Sequence, residues 1–283
     1  MARVRTTAGA SLPSATSATA SSEAVARLTR ITSRSNPLLA RLRRLASDGA
    51  AARRTGSVLL EGEHLCAAWL ARPGARVLQA IVADDAWLEP RLRRLAESAD
   101  EVAIVSAATL ASVATLDSPA PIAFVVPLPA PAAIDPHAPS VVLDRVQDPG
   151  NVGSVLRSAA VFGFTQAIAL VGTAALWSPK VVRAGMGAHF ALRLVEGGAA
   201  ASLAALAVPL FGTSSHAADR LGDAALPWPC AWAFGHEGQG LADDVAARCR
   251  AVVAIPQPGG GESLNVAAAA AVCMYDTVRR RGA

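Results

Sequence analysis

Cysteine and lysine are scarce in this chain of 283 residues. Its four cysteines, Cys66, Cys230, Cys249 and Cys273, are scattered and never form a CxxC pair. That spacing argues against a disulfide framework or a zinc site and leaves buried, reduced thiols as the expectation. A reducing, cytoplasmic setting and no bound metal follow from it. No apolar run reaches membrane-spanning length, so no membrane partner is expected. The first 24 residues are rich in Ala, Ser and Thr and have no apolar core of the secretory type. Residues 1–30 are therefore expected to form a disordered extension. No internal repeat is visible.

What is present suits a globular protein with a large core: 52% of residues are hydrophobic and 17% are charged. The length accommodates two domains. The net charge is +4, and Lys180 is the only lysine among 26 basic residues. Arginine grips phosphate bidentately through its guanidinium fork. Eight arginines against one acid, Asp48, lie between Arg27 and Arg54. Such a cluster reads as a nucleic-acid footprint, with a solvated helix face as the plainer alternative. Arg34, Arg41, Arg43, Arg44, Arg53 and Arg54 are the candidate nucleic-acid contacts.

Asn36-Pro37 opens a helix with leucines at 38, 39, 42 and 45 and arginines between them. Strands are expected at 57–60, 78–82, 102–105 and 122–126, with helices at 63–71 and 90–97. This makes residues 31–127 a small α/β domain. The Pro-rich, nearly uncharged stretch 128–139 reads as a linker. Residues 140–283 then alternate strands, at 141–143, 167–171, 192–195, 209–212, 230–234 and 252–255, with helices. Continuous apolar strands of this kind imply a parallel sheet covered on both faces. Ligands bind such sheets at the carboxyl ends of the strands. Polar loops fall there, at 148–151, 212–215, 235–240 and 256–265.

Three chemistries can be weighed against those loops. GHEGQG, at 235–240, has the wrong glycine order for GxGxxG, and no GxxxxGK[ST] occurs, so a nucleotide-phosphate cradle is poorly supported. Gly261-Glu262-Ser263-Leu264-Asn265 falls one residue short of GxSxG, and every histidine precedes Ser263, which is the wrong order for an α/β-hydrolase. In DPGNVGSVLR, Asn151 and Arg157 taken alone read as a helix cap and a surface cation.

Together, VLDRVQDPGNVGSVLRSAAVFGF, SPKVVRAGMGAHF, and GHEGQGL with IPQPGGGESLNVAAAAAV resemble the three motifs of SpoU-type (TrmH-like) RNA ribose methyltransferases, in that family's order, over roughly residues 139–280. ITSRSNPLLARLRRL and SVLLEGEHL resemble more weakly the substrate-binding domain found in a subset of the family. The resemblance implies an α/β fold whose C-terminal parallel-sheet domain carries a deep trefoil knot (SPOUT), preceded by a small α/β RNA-binding domain. It also implies a homodimer formed through the knotted domain. The expected reaction is methylation of a ribose 2′-hydroxyl with S-adenosyl-L-methionine. Ribosomal RNA is favoured over transfer RNA.

By the same resemblance, Arg157, Asn151, Glu237, Ser263 and Asn265 are the catalytic candidates. Cofactor contacts are expected from Gly212, Thr213, Phe234, Gly235, His236, Gly238, Ile255, Pro256, Leu264 and Ala267. Arg183, in the second motif, is expected to bind RNA or to help the subunits pack. Arg157 matches the family's motif arginine, often described as the general base. Neutral guanidine lies about 7 kcal/mol uphill at pH 7, so Arg157 can instead act as a cation that holds phosphate and stabilises the developing alkoxide. Ser263 has a plainer reading as the cap of the last helix. His236 and the run Gly259-Gly260-Gly261 depart from the family's usual residues without removing a chemical group used above. A non-catalytic RNA-binding relative, a transfer RNA ribose methyltransferase and a base methyltransferase are the competing expectations.

Overall fold

The computed structural model describes residues 27–114, 119–259 and 263–282. They form two sheets, one per expected domain. The first contains β1 (Arg27–Ile31), β2 (Ser57–Glu61), β3 (Gln79–Ala83), β4 (Glu101–Val105) and β5 (Ile122–Pro127) in the order β1-β4-β3-β5-β2. Strands β1, β4 and β3 are parallel, and β5 runs antiparallel to both β3 and β2. Helices α1 (Pro37–Ser47), α2 (Ala51–Thr55), α3 (Glu63–Leu70), α4 (Pro90–Ala96) and α5 (Ala107–Ala111) connect them.

Helix α1 starts where its sequence says it should. The Asn36 side chain accepts from the Leu38 amide at 2.9 Å, and Pro37 occupies the first helical turn. Leu39, Leu42 and Leu45 are buried, while Arg41, Arg43 and Arg44 are exposed. The expected extension is corrected at its end. Arg27 to Arg30 are strand, paired with β4, so at most the preceding 26 residues remain outside the described fold. β1 escaped the sequence reading because four of its five residues are exposed, which leaves no apolar alternation to see.

The second sheet is parallel throughout, in the order β10-β12-β9-β11-β6-β7-β8. Its strands are β6 (Ser140–Leu143), β7 (Gln166–Leu170), β8 (Arg193–Gly198), β9 (Leu210–Thr213), β10 (Asp219–Arg220), β11 (Ala231–Phe234) and β12 (Ala251–Ala254). Helices α6 (Pro149–Val161), α7 (Pro179–Gly185), α8 (Asp243–Ala246) and α9 (Val266–Arg279) accompany them. Every residue of β6, β7 and β11 is buried, as two covered faces require. The two-residue β10 was not expected; it is too short to carry a period.

Strand order reverses at β6. The chain moves outward through β7 and β8, returns to β9 on the other side, and inserts β11 between β9 and β6. That brings the loops after β6, β9, β11 and β12 to one end of the sheet, where ligands of open parallel sheets bind. Helix α9 starts there and is anchored farther along its length. The Trp232 indole N–H donates to Thr277 Oγ1 at 2.9 Å, in the core.

The two domains are docked. Trp177 and Val182 bury themselves in the core of the first domain. Trp69 meets Phe190 edge to face at 5.5 Å, and the Arg72 guanidinium lies 4.5 Å from the Trp69 ring centre. The linker is fastened too. Gln166 accepts from the Asp135 amide at 2.7 Å and returns a bond to the Asp135 carbonyl at 3.1 Å.

Candidate active site

A cleft of about 420 Å³ opens at the reversal point. It is lined by Thr213 to His216 after β9, Gly235 to Gly240 after β11, Val253, Ile255 and Gln257 around β12, and Ser263 to Val266 with Ala269 at the start of α9. Of the expected cofactor contacts, Thr213, Gly235, His236, Gly238, Ile255 and Leu264 line it. Gly212, Phe234, Pro256 and Ala267 do not. Phe234 is core, and Gly212 is pressed against Leu241, whose Cδ1 lies 2.6 Å from where a Cβ would stand. The Ala267 amide is taken by Asn265.

The catalytic candidates divide. Asn265 caps α9, its Oδ1 accepting from the amides of Ala267 at 2.9 Å and Ala268 at 3.3 Å. The cap is therefore Asn265, and the plainer reading of Ser263 as that cap fails; Ser263 is an exposed cleft residue. Asn265 Nδ2 donates to Asn151 Oδ1 at 2.9 Å, and Asn151 Nδ2 donates to Glu237 Oε1 at 3.1 Å. Glu237 also accepts from the amides of Gln147 and Asp148, both at 3.3 Å. One relay thus joins three polar loops across more than a hundred residues of sequence.

Asn151 is not a cap either. Asp148 caps α6, accepting from the Asn151 amide at 2.7 Å, which frees the Asn151 side chain for the relay. Burial pulls the Glu237 pKa upward. The hydrogen bonds from the Asn151 side chain and from the amides of Glu237, Asp148 and Gln147 outweigh it and hold the carboxyl below its ordinary range. Glu237 is therefore an anionic acceptor that orients Asn151, and it pairs with no arginine among the described residues.

Arg157 stands apart. It is exposed on α6, outside the cleft lining, with no hydrogen-bond or ion-pair partner among the described residues. Helix α6 itself is pinned against α7. A Cβ on Gly153 would stand 2.4 Å from Ala184 Cβ and 2.8 Å from the Gly185 nitrogen, so only glycine permits this approach.

Two residues that the sequence reading passed over complete the site. Asp144, 3% exposed, accepts from the Ala242 amide at 2.7 Å. Arg145 pairs with Asp144 and reaches Gln239 Oε1 at 2.9 Å. An acid at the end of an all-apolar strand, followed by arginine, was the signal available.

The candidate RNA arginines also divide. Arg34, Arg43 and Arg44 are exposed, and their side chains have no partner among the described residues. Arg41 donates to Ser57 Oγ at 3.0 Å, and Arg54 pairs with Asp48. Arg53 pairs with Glu196 at 3.1 Å, across the domain boundary. Arg183 is half-buried on α7. The thiols are unreactive, since burial pushes Cys249 up to about 11 and Cys230 and Cys273 up to about 12.

The SpoU rRNA Methylase family model matches residues 138–275. An uncharacterized tRNA/rRNA methyltransferase of Synechocystis is 33% identical over 266 residues, spanning 89% of this chain and 94% of that protein. The chain belongs to the SpoU rRNA methylase family. It is also similar to the 23S rRNA (guanosine(2553)-2′-O)-methyltransferase RlmP of Bacillus subtilis, at 28% identity over 78% of this chain and 88% of that one. The SpoU methyltransferase AviRb of Streptomyces viridochromogenes, solved with AdoMet, superposes with a TM-score of 0.79 at 25% identity, over 88% of this chain and 99% of that one.

The cleft suits that cofactor. Its volume falls within the usual range for small-ligand sites. Among the described residues no lysine or arginine lines it, and the one carboxylate that does is Glu237. A sulfonium cation is compatible with that charge.

Proposed function

We propose that this protein methylates a ribose 2′-hydroxyl of RNA, ribosomal RNA in preference to transfer RNA, using S-adenosyl-L-methionine. The observation that carries this is the Asn265–Asn151–Glu237 relay at the rim of a cleft lined by no lysine or arginine among the described residues. When bound, the cofactor supplies an activated methyl on sulfur. The protein's task is to place the hydroxyl and manage its proton. Asn151 and Asn265 orient the ribose, and Glu237 fixes the Asn151 amide. Ser263, at the same rim, is a further polar contact. Arg157 acts from outside the cleft as a cation that grips the RNA phosphate beside the reacting sugar and stabilises the developing alkoxide.

The domain assignment follows: residues 31–127, with β1, read RNA, and residues 140–283 hold the cofactor. Arg34, Arg43 and Arg44 are the free cations for this. Arg53, tied to Glu196, serves docking instead. The return of α9 to pack on α6 supports the knotted topology. A homodimer is supported by an exposed apolar strip on those two helices, where Val161 is 75% and Tyr275 55% exposed. The setting is cytoplasmic; among the described residues no helix is long and apolar enough to cross a membrane.

The test is transfer of labelled methyl groups to purified ribosomal and transfer RNA, followed by nucleoside analysis. A 2′-O-methylated nucleoside from ribosomal RNA is expected. Methylation confined to transfer RNA selects the runner-up substrate, a methylated base overturns the ribose assignment, and RNA binding without transfer marks a non-catalytic relative.

A further inference from the structure

Arg145 has φ of 57°, in the left-handed region that residues with side chains seldom occupy. Such a conformation persists only where its surroundings over-determine it, and it clusters at functional sites. The surroundings here are specific. Arg145 Nε donates to Asp144 Oδ1 at 3.1 Å and Nη2 to Asp144 Oδ2 at 3.3 Å. Nη1 donates to Gln239 Oε1 at 2.9 Å, and Nη2 also reaches the Gly240 carbonyl at 3.2 Å. The side-chain stem lies against Gly172, where a Cβ would come 3.0 Å from Arg145 Cγ.

The loop it grips is braced internally. The amide of His236 donates to the Gly240 carbonyl at 3.0 Å, and the Gly240 amide returns a bond at 2.8 Å. His236 Nδ1 accepts from the amides of Gly238 at 3.0 Å and Gln239 at 3.2 Å. At its base, a Cβ on Gly235 would stand 2.2 Å from the Gly240 carbonyl carbon, so the loop closes directly on itself. Residues 236–240 therefore move as one body, and that body carries Glu237 and a wall of the cleft. Its tethers to the loop after β6 are the Glu237 contacts and the Asp144–Arg145 pair.

We propose that Arg145 is a positioning residue, a latch that holds the 236–240 loop so that Glu237 engages Asn151 and the cleft keeps its cofactor-binding shape. Arg145 itself does not line the cleft. The cleft-shape half of the proposal rests on the S-adenosyl-L-methionine reading; the loop-holding half does not.

The test compares the full-length protein with Arg145→Gly and Arg145→Lys. Glycine adopts the left-handed backbone freely but removes the latch. Its melting temperature should change only modestly, relief of the left-handed backbone partly offsetting the loss of Asp144's charge partner, while amide hydrogen exchange at Gly240 and Ala242, measured without cofactor, should quicken roughly ten-fold, and lysine should restore part of the protection. The dissociation constant for S-adenosyl-L-methionine should rise roughly ten-fold, and kcat at saturation should fall as well, because a loosened loop no longer holds Glu237 on Asn151. Unchanged exchange in the glycine variant overturns the latch. So does a fall in melting temperature with faster exchange throughout the molecule, which is a merely structural role. Faster loop exchange with unchanged affinity overturns the cleft-shape half. If the wild-type protein binds no S-adenosyl-L-methionine, the cofactor reading fails while the exchange data still decide the latch.

Discussion

Acidification should unfold this protein partly through one histidine. His189 lies beneath α7, 3% exposed, with Nε2 donating to the Leu176 carbonyl at 2.8 Å and its ring centre 5.2 Å from that of Trp177. Nδ1 has no partner among the described residues, so a second proton there would be buried and unpaired. Burial is the main cause of a pKa lowered from 6.5 to about 4, and the bond to Leu176 offsets it only partly. A histidine with a lowered folded pKa stabilises the fold fully above about pH 6.5, and that stability is lost as pH falls toward 4. The shift of 6.5 minus 4 is about 2.5 pKa units, or about 3 kcal/mol. That is a large share of the roughly 5–15 kcal/mol typical of a domain. His189→Gln keeps a donor within reach of Leu176 but does not titrate. Urea unfolding of both proteins from pH 7.5 to 4 should show the wild type losing about 3 kcal/mol more than the variant. Parallel pH profiles would refute the reasoning, because a buried neutral imidazole cannot be pH-silent.

Glu237→Gln keeps the shape but places an NH2 group against the donors that Glu237 now accepts from, so kcat/KM for methyl transfer should fall by about 1–3 kcal/mol, roughly 5- to 150-fold. Activity equal to wild type would remove Glu237 from the relay. Gly153→Ala drives a methyl into Ala184 and the α7 backbone and should cost about 1–3 kcal/mol in thermal or urea unfolding. Replacing Arg34, Arg43 and Arg44 together by alanine should flatten the slope of log K against log salt for single-stranded RNA by about 2, at about 0.7 for each phosphate no longer neutralised. An unchanged slope would place the RNA elsewhere on the surface.

The fold was legible where signals are local. Asn36-Pro37 marked α1, and continuous apolar runs marked the buried strands of the second sheet. Exposed β1 and two-residue β10 gave no periodic signal, and neither did the antiparallel course of β5, because strand direction depends on how connections pack. Site residues were legible as polar positions in loops at strand ends. Their partners were not: Asp148 displaced Asn151 as the cap of α6, and Asn265 displaced Ser263 as the cap of α9.

By itself, the sequence determined the residue types, the elements that carry them and the end of the sheet where polar loops gather, since these follow from caps, turns and apolar periods over a few residues. Only the tertiary structure decided who meets whom. The insertion of β11 between β9 and β6 puts Glu237 against Asn151, and the return of α9 brings Asn265 to the same amide. It also set Arg157 outside the cleft and committed Arg53 to domain docking. Contacts across parallel strands join residues about a hundred positions apart, and no local pattern encodes such a distance.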